Sequence, residues 1–362
     1  MRVLYDYQIL YLQKYGGISR YFYELISHLE SQYEQDSFNI SAAISQNYYF
    51  REKIPQRKLL KHGNRMINDL QMKMKAAGDR LFKRNIDILH PTYYEPSYIA
   101  DYGKREYKIV ITVHDMTYEH FMQDNTRFIQ AKRRILEYAD GIITISDFTR
   151  KDLLQIYPTL EHKPISTIYL GFTGVSGDTP LFVSDLPGDY ILYVGARGGY
   201  KDFHVVLNAF RQIKEKYSTL YLICAGGGAF SNEERNLINI LGIGKRIIQR
   251  AFTDEEMHEI YRKACCFVYP SKYEGFGLPI LEAFNSGCPV LLRNASCFPE
   301  IAGNAVLYFE NEEDLAQQMM TVLEDEEVRN KLVSTGRMRL NLYSWDDTAR
   351  QTYDFYQELC EK

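Results

Sequence analysis

The chain has 362 residues, of which 45% are hydrophobic, and a formal net charge of −4 at pH 7. Its length predicts two domains with separate cores, and its net charge argues against nucleic acid as a partner. The six cysteines show no metal-ligand spacing, and neither a signal-peptide core nor an 18-residue apolar run occurs. We therefore expect a cytoplasmic protein with reduced thiols and no membrane-spanning segment.

The first half of the chain alternates short apolar runs with helical patterns, which predicts alternating strands and helices. Gly16 and Gly17 precede a helical pattern over residues 21–29. A helix N-terminus offers backbone N–H groups to an anion, but glycine pairs also serve simple tight turns, so both interpretations stay open. The predicted strands of this half are residues 3–5, 38–44, 86–90, 107–113, 141–145 and 165–170.

A basic stretch covers residues 51–84, where eleven Lys or Arg residues stand against three acidic residues. Leucine, isoleucine and methionine are interleaved with these charges. A basic amphipathic segment suits anionic lipid headgroups or a lipid diphosphate acceptor, which predicts peripheral docking on the inner face of a membrane. A solvated helical face explains the same pattern equally well.

His114 follows the strand predicted at residues 107–113. In open parallel sheets the functional groups gather at the carboxyl ends of the strands, so this histidine is a candidate for contacting a ligand. The alternative is a loop histidine that is held only by local hydrogen bonds. Ser146 or Asp147 is the predicted cap of the helix that follows the strand at residues 141–145.

Residues 171–189 have the glycine and proline content of a linker, and the strand pattern restarts at residue 190. The loop after this strand carries Arg197 and Lys201, two cations at a strand-to-helix turn that suit phosphate groups. Ordinary surface charges are the alternative interpretation. The loop matches neither the dinucleotide fingerprint nor the Walker lysine loop, which argues against a nicotinamide-dependent oxidoreductase and a P-loop enzyme.

The most informative segment is residues 271–282, which follows a buried strand predicted at residues 265–269. The pattern predicts a glycine loop followed by a helix with Pro279 in its first turn. The N-terminus of such a helix favours an anion. Glu274 and Glu282 frame the loop, and we expect these carboxylates to accept hydrogen bonds from hydroxyls. A nucleotide-sugar carries both phosphates and hydroxyls. The alternative is a turn flanked by two solubilising glutamates.

The sequence Glu-Gly-Phe-Gly-Leu-Pro-Ile-Leu-Glu at residues 274–282 resembles the signature of the group 1, or family 4, retaining glycosyltransferases. Further matches extend the resemblance from Gly16 to Trp345. It implies an α/β protein of the GT-B fold with two facing Rossmann-like domains. The implied parts are an acceptor-side domain at residues 1–170, a linker at 171–189, a donor-binding domain at 190–345, and a helix at 346–362 that returns to the first domain.

The resemblance also implies roles for individual residues. Arg197 and Lys201 would contact the donor diphosphate, with Gly16, Gly17 and Arg20 opposite it. Glu282 would bind the ribose and Glu274 the hydroxyls of the donor sugar, while His114 would lie beside that sugar. Ser146 and Arg150 are expected near the cleft. The residues with expected catalytic roles are His114, Glu274, Arg197 and Lys201, and the remaining donor-binding residues are Gly275, Phe276, Gly277 and Leu278.

The implied activity is retaining transfer of a hexose from a nucleotide-sugar, such as GDP-mannose or a UDP-hexose, to a glycan or lipid-linked acceptor in surface polysaccharide synthesis. Mannose is one candidate. No Asp-x-Asp occurs in the chain, so we expect a metal-independent enzyme without a cofactor. Two alternatives remain, a non-catalytic sugar-nucleotide-binding protein and a sugar-nucleotide epimerase on the same fold.

Overall fold

A computed structural model describes residues 1–41, 45–54, 85–95, 106–174, 183 and 186–361. The chain forms two compact units. The first comprises Met1–Gly171 with Ser344–Lys362, and the second comprises Phe172–Tyr343. Each unit contains a six-stranded sheet in which all the paired strands run parallel. The predicted α/β class with two Rossmann-like domains is therefore confirmed.

The sheet of the first unit has the strand order β2-β1-β3-β4-β5-β6. Its central strand β4 is an apolar run that is buried from Ile109 onward, as expected for a parallel strand covered on both faces. The strands are β1 (Arg2–Tyr5), β2 (Ser37–Ile40), β3 (Ile88–His90), β4 (Lys108–Val113), β5 (Gly141–Thr144) and β6 (Ile165–Thr167).

Six α-helices accompany this sheet in the described residues. The long helix α2 buries one stripe at helical spacing, and the C-terminal helix α13 packs against it. The helices are α1 (Gln8–Leu12), α2 (Gly17–Gln32), α3 (Thr117–Phe121), α4 (Thr126–Tyr138), α5 (Asp147–Ile156) and α13 (Trp345–Glu361).

The sheet of the second unit has the strand order β12-β11-β10-β7-β8-β9. Its core joins inward residues of the helices Phe203–Ile213 and Glu312–Glu324 to the sheet, among them Phe210, Leu222 and Met319. The strands are β7 (Asp189–Val194), β8 (Leu220–Ala225), β9 (Ile247–Arg250), β10 (Cys266–Tyr269), β11 (Val290–Arg293) and β12 (Leu307–Phe309).

The α-helices described in this unit are α6 (Phe203–Ile213), α7 (Asn232–Ile240), α8 (Asp254–Lys263), α9 (Leu278–Asn285), α10 (Phe298–Ala302), α11 (Glu312–Glu324) and α12 (Glu326–Leu340). The chain runs from β7 through β8 to β9 at one edge and then returns to place β10 on the other side of β7. The order of the strands thus reverses between β7 and β10. In open parallel sheets ligands bind outside the carboxyl ends of the strands at this switch point.

Several sequence predictions differ from the structure at their ends. The strand predicted at residues 38–44 ends at Ile40, and residues 42–44 lie outside the described residues. The strand predicted at residues 165–170 ends at Thr167. Of the basic stretch, residues 55–84 also lie outside the described residues. Within the part of the chain that the structure describes, no helix has the length and hydrophobicity needed to cross a membrane.

Candidate functional site

Lys201 and Glu274 meet at the switch point of the second sheet. Lys201 ends a 3₁₀ turn in the loop after β7, and Glu274 lies in the loop after β10. Lys201 Nζ donates to Glu274 Oε1 at 2.5 Å, and the two side chains are 19% and 15% exposed. The side chains predicted to face phosphate and sugar are thus each other's partners in the structure. Because the pair is largely withdrawn from water, removal of either member leaves a charge that the site must compensate.

A serine from the neighbouring loop holds the backbone of Glu274. The N–H of Glu274 donates to Ser296 Oγ at 2.8 Å, and that hydroxyl donates back to the carbonyl of Glu274 at 2.5 Å. Ser296 has a φ of 60°, in the left-handed region that non-glycine residues seldom occupy. Ser296 was not predicted as a partner of Glu274. Its position just beyond β11, next to β10 in the sheet, was the available signal.

The glycine loop places the N-terminus of α9 at the same edge of the sheet. Gly277 caps this helix with a φ of 95°, and a Cβ there would lie 2.9 Å from the side chain of Ile280. Pro279 occupies the first turn as predicted, where its missing N–H leaves no backbone donor unused. The backbone N–H groups of this turn and the helix dipole favour an anion at this point. Gly275 and Phe276 are buried within the loop, and Leu278 is partly buried at the start of the helix.

Glu282 lies in the second turn of α9, where it is partly buried. The hydroxyl of Tyr261 on α8 donates to Glu282 Oε2 at 3.3 Å. Burial, with a smaller contribution from the Glu282 charge, raises the pKa of Tyr261 well above its ordinary value, so Tyr261 remains a hydrogen-bond donor. The second glutamate of the motif therefore has its orientation set by a core tyrosine.

Arg197 is held by other residues of the second unit. Its guanidinium donates to Glu234 Oε1 at 2.8 Å and to the carbonyls of Gly226 at 3.0 Å and Gly228 at 2.7 Å. Its side chain is 3% exposed. These acceptors lie mostly in the loop after β8, and the contact with the donor diphosphate that the family resemblance implies stays a prediction.

The residue after Lys201 forms another cluster of charges. Asp202 is buried with a left-handed φ of 53°, and it pairs with Arg293 at the end of β11. Lys272 Nζ lies 3.0 Å from Asp202 Oδ1. Asp202 thereby ties the Lys201 turn to the loops after β10 and β11. Neither Asp202 nor Arg293 was predicted as part of the site.

In the first unit, His114 lies at the carboxyl end of β4 as predicted. Its ring packs edge-to-face on Tyr21 and Phe22 of α2, with centroid distances of 5.1 and 6.1 Å. Its Nε2 is buried and has no hydrogen-bond partner among the described residues. Burial lowers the pKa of His114 to about 4; the nearby Lys132 charge also lowers it, and Asp115 opposes this shift. The imidazole is therefore neutral at pH 7.

A second buried histidine lies beside His114. His90, at the end of β3, is 2.5 Å from the hydroxyl of Tyr356 through Nδ1 and 2.9 Å from Thr112 Oγ1 through Nε2. Tyr21, the neighbour of His114, also bonds to Thr112, at 3.2 Å. Burial, assisted by His114, lowers the pKa of His90 to about 3. The sequence placed His90 at a strand end but gave no sign of these partners.

The loops after β1 and β3 are joined by Asp6. Its carboxylate accepts from the backbone N–H groups of Gln8 and Thr92, each at 3.0 Å. Burial raises the pKa of Asp6 to about 6, although these hydrogen bonds oppose the shift.

Gly16 and Gly17 lie at the N-terminus of α2, as predicted. Gln13 Oε1 accepts from the N–H of Ser19 in the first turn of that helix at 3.1 Å.

Two family models match the chain. The model for group 1 glycosyl transferases matches residues 183–339, and the model for glycosyltransferase family 4 matches residues 15–173. The chain belongs to the group 1 glycosyltransferases. The resemblance that the sequence predicted is thereby confirmed, and the two matches divide near the boundary between the two units.

Related proteins are similar to this glycosyltransferase over most of its length. O-antigen chain mannosyltransferase B of Escherichia coli is 26% identical, over 95% of this chain and 96% of that protein. The O-antigen chain mannosyltransferase RfbU of Salmonella typhimurium is 24% identical over 58% of each chain.

Solved structures show the same fold at low sequence identity. Sucrose-phosphate synthase from Thermosynechococcus elongatus aligns with a TM-score of 0.75 and 19% identity, over 99% of both chains. Anabaena Alr3699/HepE, solved with UDP and glucose, aligns with a TM-score of 0.72 and 17% identity, again over 99% of both chains.

Other predicted residues of the glycosyltransferase can also be placed. Ser146 caps α5 by accepting from the N–H of Thr149 at 3.0 Å, and Arg150 is exposed on that helix. In the residues that the structure describes, no group of three or more His, Cys, Asp or Glu side chains could hold a metal ion.

Proposed function

We propose that this glycosyltransferase moves a hexose, with mannose as the first candidate, from a nucleotide-diphospho-sugar to a glycan or lipid-linked acceptor in surface polysaccharide synthesis. The observation that carries the proposal is the pairing of Lys201 with Glu274 beside the N-terminus of α9. The O-antigen mannosyltransferases among its relatives support mannose and a polysaccharide product. The neighbour solved with UDP and glucose supports a nucleotide-sugar donor.

The diphosphate gains negative charge as the bond to the sugar breaks. The Lys201 ammonium and the first-turn N–H groups of α9 are fixed groups that stabilise this charge without reorganisation. Because the sequence has no Asp-x-Asp, we propose that these groups act in place of a divalent ion.

The carboxylates serve the hydroxyl groups of the same donor. A carboxylate close to a diphosphate would repel it, but Lys201 balances the charge of Glu274. We propose that donor binding exchanges partners, so that the phosphate takes Lys201 and the sugar hydroxyls take Glu274. Glu282, held by Tyr261, accepts from the ribose hydroxyls.

Two further parts of the proposal rest on the family resemblance. The product keeps the anomeric configuration of the donor, and the neutral His114 lies beside the transferred sugar. Proton NMR of the new linkage early in the reaction tests the first part, and an inverted anomer would contradict it. Activity that persists in EDTA tests metal independence, and a loss that Mg²⁺ or Mn²⁺ restores would overturn it.

A panel of GDP-mannose and UDP-hexoses, each with and without a lipid-linked acceptor, tests the function itself. We expect release of nucleoside diphosphate with GDP-mannose and faster release when the acceptor is present. An epimerase would convert the donor sugar without releasing nucleoside diphosphate. Calorimetric binding of a donor without turnover of any donor would indicate a non-catalytic binding protein.

We also propose that the basic stretch at residues 51–84 docks the protein on anionic membranes. The support is its excess of cations and its interleaved apolar residues. Binding to anionic liposomes should weaken as salt rises, because salt screens exposed charges. Equal binding to neutral liposomes at high salt would rule out an electrostatic attachment.

A further inference from the structure

Asp202 combines an uncommon backbone conformation with a carboxylate that does not cap the helix it precedes. Its φ of 53° lies in the left-handed region that favours glycine, and α6 begins at the next residue. An aspartate in this place ordinarily accepts from an N–H group of the first helical turn, but Asp202 makes no such bond to α6, all of which the structure describes. The contacts of its carboxylate must therefore account for an aspartate at this position.

The carboxylate of Asp202 lies among cations. Its Oδ2 accepts from Nη2 of Arg293, the last residue of β11. Lys272 Nζ and His204 Nδ1 lie 3.0 and 3.2 Å from Oδ1. The side chains of Lys272 and His204 are more than half exposed, whereas those of Asp202 and Arg293 are 2% and 13% exposed. Arg293 is thus the partner that balances the buried carboxylate, and water screens this pair least.

Arg293 also binds the ends of two further strands. Its Nε donates to the carbonyl of Pro270 at 2.8 Å, directly after β10. Its Nη1 donates to the carbonyl of Glu310 at 3.1 Å, directly after β12. A guanidinium presents its N–H groups in a rigid plane, so it fixes the positions of its acceptors relative to one another. Through this one side chain, Asp202 is held against the carboxyl ends of β10, β11 and β12.

The same arrangement reaches Lys201 through the backbone. The N–H of Lys272 donates to the carbonyl of Tyr200 at 2.8 Å, which joins the loop after β10 to the 3₁₀ turn that ends at Lys201. Asp202 follows Lys201 directly and contacts Arg293. The chain is therefore tied on both sides of Lys201 to the loops and strand ends of the candidate site.

We propose that Asp202 is a positioning residue, whose ion pair with Arg293 holds Lys201 in place for the donor diphosphate. This proposal rests on the proposed function, in which Lys201 contacts that diphosphate. The carboxylate itself does not contact the donor, because Arg293 already occupies it and a phosphate would be repelled. Its effect is to limit the movement of the turn when Lys201 exchanges Glu274 for phosphate, which keeps the ammonium preorganised.

A double-mutant cycle tests whether Asp202 acts through Lys201. Asp202→Gly removes the carboxylate and keeps the left-handed backbone without strain. We expect nucleoside diphosphate affinity and turnover each to fall about tenfold, because a displaced group binds and catalyses poorly. In the Lys201→Gln background the same substitution should cost less than about twofold, since its target is already gone. Calorimetry with the nucleoside diphosphate of the preferred donor and steady-state kinetics measure these factors.

The matched control for this cycle is Glu327→Gln, which removes an exposed carboxylate on α12 of the same unit and should change either quantity less than about twofold. Equal losses from Asp202→Gly in both backgrounds would overturn the proposal, because they would show an effect independent of Lys201. Arg293→Gln should weaken binding at least as much as Asp202→Gly, since it also releases the carbonyls of Pro270 and Glu310. Wild-type affinity in Arg293→Gln would likewise refute the role of the pair.

Hydrogen exchange at the backbone amide of Lys272 gives a readout that needs no ligand. Exchange there should accelerate about tenfold or more in Asp202→Asn and Arg293→Gln, because the turn that supplies its acceptor is loosened. Asp202→Asn keeps the size of the side chain and tolerates the left-handed φ. Unchanged exchange in both variants would contradict the positioning role. If wild-type protein binds no nucleoside diphosphate while exchange responds as expected, the proposed function fails, and the hold of the ion pair on the turn stands.

Discussion

The carboxyl edges of the two sheets carry different kinds of functional group. In the second unit the edge carries fixed charges in pairs, Lys201 with Glu274 and Arg197 with Glu234. In the first unit His90 and His114 are kept neutral by burial, and hydroxyl groups rather than ions surround His90. The paired charges of the second unit suit an ionic ligand such as a diphosphate, while the two histidines of the first unit are neutral groups whose protonation depends on pH.

The largest expected effect is a loss of turnover when the charge of Lys201 is removed. Lys201→Gln should lower turnover by about a hundredfold or more, because hydrogen bonds to charged groups contribute roughly 1.5–3 kcal/mol to the bound state and more as charge develops. Steady-state kinetics with the preferred donor measures this loss. Lys331→Gln is the matched control, since it removes an exposed lysine of the same unit on α12, and it should change turnover less than about threefold. Equal losses in the two variants would show that general charge, rather than the Lys201 pair, matters.

Lowering the pH should destabilise mainly the first unit, through its buried neutral histidines. His114 has a pKa of about 4 in the folded protein, below its ordinary value of 6.5. The unfolded chain therefore takes up the proton first, and stability present above about pH 6.5 is lost as pH falls toward 4. The loss from this one residue should be roughly 2 kcal/mol at pH 5, by linkage. Thermal unfolding from pH 7 to pH 5 measures it, and His114→Gln should flatten the profile.

Asp6 provides a control of opposite sign in the same unit. Its folded pKa of about 6 is raised, so its contribution to stability is present below about pH 4 and is lost as pH rises through 6. Asp6→Asn should therefore make the loss of stability between pH 6 and pH 4 steeper. A shallower profile in Asp6→Asn would contradict this assignment of signs.

A smaller effect is expected from the serine that holds Glu274. Ser296→Ala removes both hydrogen bonds to the backbone of Glu274, so turnover should fall about tenfold while nucleoside diphosphate affinity changes less than threefold. Ser296→Gly removes the same bonds and relieves the left-handed φ, so it should be the more stable of the two while losing similar activity. Ser334→Ala, on an exposed helical serine, is the control. Full activity in Ser296→Gly would show that the hydroxyl has no role.

The smallest expected effect is a gain in nucleoside diphosphate affinity rather than a loss. Glu274→Gln removes the anion that competes with phosphate for Lys201, so affinity for nucleoside diphosphate should rise by about two- to fivefold, which is under 1 kcal/mol. Turnover should fall in the same variant, because the amide is a weaker acceptor for the sugar hydroxyls. Calorimetry and kinetics on one preparation measure both quantities. A decrease in affinity would mean that Glu274 positions Lys201 for phosphate rather than competing with it.

Local sequence patterns predicted most of the fold and the centre of the site. The apolar run of β4 and the loop around Gly277 carry their signals within a few consecutive residues. The strand β12 was missed because three residues are too few for a periodic pattern. Ser296 and the partners of Arg197 were missed for another reason, since their contacts join loops that are more than twenty residues apart.

The bond between His90 and Tyr356 spans 266 positions of the chain. During synthesis, the second unit is a continuous segment from Phe172 to Tyr343 and contains all of its own strands before the last helix leaves the ribosome. The first unit begins earlier but must wait for Trp345–Glu361 to cover α2 and to supply the hydroxyl for His90. The unit that is translated first is therefore the unit that completes its folding last. A nascent chain stalled before residue 345 presents the uncovered face of α2 to chaperones.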